Sequence, residues 1–147
     1  MFEYKTHMMQ NYGAGVQACY RGPRLYDTPE TQAAVTEVIQ WYKKYRDILN
    51  SDMIHLRRPD ARDWDGFIHV NPHKKEKGLA MFFNPTHQEI TRTIHIPLYY
   101  TGLTQTARIR EKEQKPVTYK LNRDYTVELT VKIPANGYTW YVVEAAD

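Results

Sequence analysis

The sequence predicts a mainly β protein: an antiparallel β-sandwich of about seven strands preceded by one amphipathic α-helix. Three observations carry this expectation. After Asn50-Ser51-Asp52 the apolar period changes from 3.6 to 2, that is, from helical spacing to strand alternation. About seven strand-like segments then follow within about 90 residues, with turn residues every ten or so, which is the pattern of a sandwich. No helical stretch separates them, so the crossovers that parallel strands require have nowhere to sit.

The helix has clear start signals. Thr28 suits the N-cap, Pro29 the first helical position, and Glu30 complements the helix dipole. Val35, Val38, Tyr42, Tyr45 and Leu49 recur at three- and four-residue steps, while Ala34, Trp41 and Ile48 form a second stripe at intervals of seven. Two stripes make the apolar face wider than one flat partner requires, so this helix is expected to be covered on more than one side.

Among the strands, Phe67–Val70 and Leu79–Phe83 flank the polar stretch 71–78. Ile90, Ile94, Ile96 and Leu98 fall on one side of the next segment, with Thr91, Thr93 and His95 opposite. Ala107–Arg110 and Val117–Leu121 are shorter candidates. Tyr125, Val127, Leu129, Val131 and Ile133 alternate cleanly with polar residues, and Tyr138–Val143 closes the set after the turn Pro134-Ala135-Asn136-Gly137. Before the helix, the short apolar piece 13–18 reads as a possible strand weakened by its glycines. The chain thus divides into an N-terminal segment 1–27, a helix 28–51 and a sandwich 52–147.

Composition excludes several function classes. The chain has 147 residues, 41% hydrophobic and 25% charged, enough for one self-supporting core. Its net charge of +3 comes from 20 basic and 17 acidic residues that are well mixed, without the concentrated basic face of a nucleic-acid binder. No apolar run approaches the roughly 20 residues of a membrane helix, and the N-terminus lacks the order of a signal peptide. Neither nucleic acid nor membrane is an expected partner. Cys19 is the single cysteine, so there is no internal disulfide.

No catalytic or metal motif assembles. The acidic loop 60–66 lacks EF-hand spacing, and His69 and His73 are four apart on a strand-to-loop segment rather than a helix. No G-x-S-x-G elbow or complete glycine-rich phosphate loop occurs. No pair of carboxylates is identifiable as facing another across a glycosidic bond. No catalytic residue, metal or cofactor is therefore expected.

What stands out is aromatic: twelve Tyr, three Trp and four Phe. Such side chains fill sheet interiors, and they also stack on sugar rings. Trp64, Tyr99, Tyr100 and Trp140, at strand ends or on alternating faces, are the carbohydrate-binding candidates; core packing is the competing reading of the same residues.

The run Trp41-Tyr42-Lys43-Lys44-Tyr45-Arg46, then Ile48-Leu49 and Ser51-Asp52 before the strands, carries a family resemblance. With 52–60, Lys77-Gly78-Leu79, Phe83-Asn84-Pro85 and 97–103, it resembles the junction between the last helix of a (β/α)8 barrel and a C-terminal β-sandwich. That junction is typical of α-galactosidase-like (melibiase-like) glycoside hydrolases. The resemblance spans about 28–144 and implies a non-catalytic accessory domain that packs on an upstream catalytic barrel, its expected partner besides carbohydrate. It also implies a periplasmic or extracellular parent. Residues 1–27 would then be the end of the barrel, with Tyr20, Arg21, Arg24, Tyr26 and Asp27 on the loop beside the parental sugar pocket.

Overall fold

The computed structural model describes residues 2–19 and 22–146. Two helices, α1 (Phe2–Gly13) and α2 (Pro29–Leu49), precede eight strands. These are β1 (Asp52–Arg57), β2 (Asp65–Val70), β3 (Glu76–Phe83), β4 (Ile90–Pro97), β5 (Thr106–Glu111), β6 (Val117–Lys120), β7 (Thr126–Ile133) and β8 (Tyr138–Glu144). A six-stranded sheet has the order β1-β2-β3-β8-β5-β6, and β4 and β7 form a separate two-stranded ribbon. Every pairing is antiparallel. The predicted fold class is the one observed.

The ribbon follows the alternation read from the sequence. Ile94 and Ile96 of β4, with Val127, Leu129, Val131 and Ile133 of β7, are buried against Ile68, Ala80, Phe82 and Val143 of the large sheet. Thr93, His95, Glu128 and Lys132 face solvent. The other face of the large sheet carries α1 and α2, whose Met8, Met9, Val38, Tyr45, Ile48 and Leu49 bury Phe67, Leu79, Met81, Trp140 and Val142. The molecule therefore has three layers: ribbon, sheet and helices. Because β2, β3 and β8 are covered on both faces, 67–70, 78–83 and 139–143 are buried without interruption, as expected of strands enclosed on two sides.

The start of α2 is as predicted. Thr28 is extended, and its hydroxyl accepts the backbone N–H of Thr31 at 3.2 Å, with Pro29 at the first helical position. The excess width of its apolar face is met by α1. This corrects the reading of 13–18 as a possible strand: a helix ends at Gly13, and among the described residues 14–19 form no strand. Tyr4, Met8 and Tyr12, at i, i+4 and i+8, lie in or beside the helix-side core. Gly15 then turns the chain with φ +71°, where a Cβ would stand 2.3 Å from the Leu49 carbonyl oxygen. Only glycine fits that approach of α1's end to α2's end. The second difference is β1, an edge strand with Ile54 and Leu56 packed toward the ribbon side and Met53 and His55 exposed.

Candidate functional site

The expected sugar-stacking residues do not converge. Trp140 is 6% exposed: β8 is an inner strand, and the ring packs beneath α2, in line with the core-packing alternative. Its neighbours are Trp41, with ring centroids 5.6 Å apart, and Tyr45 at 5.3 Å. Trp64 is half-buried on the opposite face, edge-on to Phe82 at 5.8 Å and beneath the Arg57 guanidinium at 6.0 Å. Tyr99 and Tyr100 are the exposed pair, at 61% and 63%. They sit on a single 3-10 turn, Tyr99–Thr101, with their rings perpendicular and 5.1 Å apart. Tyr99 also leans on Tyr125 at 5.3 Å.

Of the expected pocket-loop residues, Tyr20 and Arg21 lie outside the described residues. Arg24 and Asp27 are exposed and Tyr26 is half-buried, in the connection between α1 and α2.

The charged turn before β2 is an ion-pair knot. Arg57 donates to both Asp60 oxygens at 3.0 and 2.7 Å and to the Trp64 carbonyl at 2.8 Å. Asp60 is held far below the ordinary carboxylate range by Arg57 and by the Arg62 backbone N–H. Burial opposes ionisation of Asp63, but its bonds to the Trp64 N–H and to Arg92 outweigh that and lower its pKa. Asp65 moves the other way, raised by burial. Among the described residues no group of three or more potential ligands could hold a metal ion.

A groove of about 690 Å³ lies between the helices, β8 and the turn after β5. Its apolar lining is Met9, Val38, Trp41, Tyr138 and Trp140. Two ion pairs stand at its rim, Lys5 to Glu37 at 2.5 Å and Lys44 to Glu113 at 2.8 Å. Glu113 also accepts the Tyr45 hydroxyl at 2.6 Å, and that hydroxyl accepts from Arg110 at 3.0 Å. Burial opposes the Glu113 anion, yet the Lys44 and Tyr45 bonds hold its pKa below the ordinary value. Tyr138 is pushed up to about 12, first by burial and then by the charge of Glu37. Sequence reasoning missed this groove as a site. The signal was Trp41, whose seven-residue stripe gave α2 its surplus apolar face.

No protein-family model matches the chain, and no curated protein matches it by sequence. Solved structures do. α-Galactosidase I from Mortierella vinacea matches 97% of this chain with a TM-score of 0.62 at 14% identity. A putative α-N-acetylgalactosaminidase from Bacillus halodurans matches 99% with a TM-score of 0.63 at 12% identity. An α-amylase from Geobacillus thermoleovorans, solved with acarbose, matches 84% with a TM-score of 0.54 at 12% identity. These neighbours are glycoside hydrolases, and the resemblance suggested by 28–144 is present in the fold. At such identities the likeness is one of fold alone. The chain spans 35% and 31% of the length of the first two enzymes.

Proposed function

We propose that the chain is a non-catalytic accessory domain of a glycoside hydrolase-like protein, packing on a catalytic barrel and stabilising it. In this reading 1–27 end that barrel, 28–51 form its last helix and 52–147 are the sandwich. The observation that supports it most is the extent of the fold likeness. It takes in 97% and 99% of this chain, helices included, but only about a third of each enzyme.

The carboxylates favour the same reading. Glycosidase chemistry requires a raised acid facing a second, working carboxylate. Asp65 is raised, but its neighbours Asp60 and Asp63 are engaged by Arg57 and Arg92. The isolated chain is expected to leave aryl glycosides untouched across a panel of sugars and linkages. Turnover that disappears in Asp65→Asn while the fold is retained would contradict the proposal. The parent is placed, in the same proposal, in a periplasmic or extracellular setting.

A second reading, carbohydrate binding through exposed aromatics, has the Tyr99–Tyr100 pair in its favour. It requires that Tyr99→Ala with Tyr100→Ala abolish retardation on a polysaccharide affinity gel.

A further inference from the structure

We propose that the groove between the helices and β8 is a binding site for a short neutral oligosaccharide, with Trp41 as its stacking wall. This goes beyond the accessory reading and does not rest on it, since a domain that stabilises a barrel needs no such site.

Size is the first argument. About 690 Å³ lies within the range of small-ligand clefts, roughly 300–1,000 Å³. A protein partner is normally met instead by a broad patch of about 800 Å² on each side.

The lining is the second. Three aromatic side chains from two elements, Trp41 of α2 with Tyr138 and Trp140 of β8, meet in one place. Aromatic rings offer apolar faces to the C–H faces of a sugar, and Trp and Tyr add a polar tip. Trp41 and Tyr138 keep partial exposure there. The indole N–H of Trp41 is buried without an acceptor among the described residues, so the ring has no hydrogen bond to lose when it turns to meet a ligand.

Charge is the third: the two rim ion pairs, Lys5 with Glu37 and Lys44 with Glu113, cancel, which leaves Lys112 as a single ammonium to donate to hydroxyls and no paired cations to hold a phosphate. What remains for a ligand is Gln40, Gln114 and Lys112, exposed residues that line the groove. Two amides offer both donors and acceptors, and an ammonium offers donors. Hydroxyl groups, which donate and accept, match that set.

The test titrates the whole chain with neutral di- to tetrasaccharides of glucose, galactose and mannose, following tryptophan fluorescence and calorimetric heat. At least one series should quench fluorescence saturably. Gln40→Ala with Gln114→Ala, both exposed positions, should weaken binding at least tenfold with an unchanged thermal midpoint. Trp41→Phe, which keeps a ring, should weaken it while preserving the circular dichroism spectrum. The pair Tyr99→Ala and Tyr100→Ala, remote from the groove lining, should leave it unchanged. The proposal is overturned if no neutral series saturates, or if only uronic or phosphorylated sugars bind. It is equally overturned if the Tyr99 and Tyr100 variant loses binding while the groove variants keep it. Barrel docking can survive each of those failures, so the two readings are separable.

Discussion

His69 places both ring nitrogens against backbone carbonyls, Nε2 at 2.6 Å from Gly13 O and Nδ1 at 3.4 Å from Ser51 O. A neutral imidazole donates from one nitrogen only, and the shorter distance assigns the proton to Nε2. The residue thus ties the end of α1 to β2. Burial, the largest influence, lowers its pKa below the usual 6.5 despite the two carbonyls. The unfolded chain therefore takes up the proton at a higher pH than the folded one, so stability is lost as pH falls below about 6.5. The thermal midpoint should drop as pH falls below about 6.5, and His69→Gln should flatten that part of the profile. Asp60, held low by Arg57, contributes in a separate and more acidic window, below its unfolded value near 3.8.

Two further side chains carry residue-scale predictions. Asn84, 2% exposed, donates from Nδ2 toward the carbonyls of Gln88, Ile133 and Pro134, and accepts from Thr86 N–H and Oγ1. Asn84→Ala leaves the buried Ile133 carbonyl without that donor and removes the acceptor of Thr86, and should cost about 1–3 kcal/mol in urea unfolding. A Cβ on Gly66 would stand 2.6 Å from the Met81 carbonyl oxygen, and a backbone atom in a central sheet cannot swing aside. Gly66→Ala should cost about 1–3 kcal/mol. In the sequence Gly66 reads only as the end of the acidic turn 60–66, because its close approach to Met81 is set by the pairing of β2 with β3; the reach of Asn84 to Ile133 and Pro134 is likewise made only by the fold.

At the scale of elements, the legible parts were those with a simple solvent boundary. β4 and β7 alternate because one side of the ribbon is wet, and α2 announces itself through Thr28, Pro29 and its stripes. β8 falls where Tyr138–Val143 predicts it, but which of its faces is interior is not legible in the sequence. Tyr138-Thr139-Trp140-Tyr141 contains polar-tipped rings that suit a surface, and only the helical layer makes that strand interior. α1 is masked in the sequence by its terminal Gly13-Ala14-Gly15, although Tyr4, Met8 and Tyr12 keep helical spacing. Its role is now testable. Met8 and Met9, 2% and 3% exposed, each contribute about 1.5–3 kcal/mol by burial. Removing residues 1–14 should therefore lower stability by more than about 3 kcal/mol and create binding of a hydrophobic dye. Unchanged stability would mean that α1 does not cover the sheet.

For the molecule as a whole, the six-stranded sheet is shared by both cores, with Phe82 turned to the ribbon and Met81 to the helices. Melting either outer layer uncovers strands that the other depends on, so unfolding should be one cooperative transition with equal calorimetric and van't Hoff enthalpies. The layered fold and its likeness to glycoside hydrolases were accessible from the sequence through the change of period and the helix-to-strand junction. The groove was not, since Met9, Trp41, Gln114 and Trp140 are brought together only by tertiary packing. The central claim, that this fold serves a catalytic barrel, is tested most directly by the reading frame upstream of Met1. An open frame encoding a (β/α)8 barrel is expected there; an in-frame stop codon directly before Met1, followed by a functional start, would contradict that role.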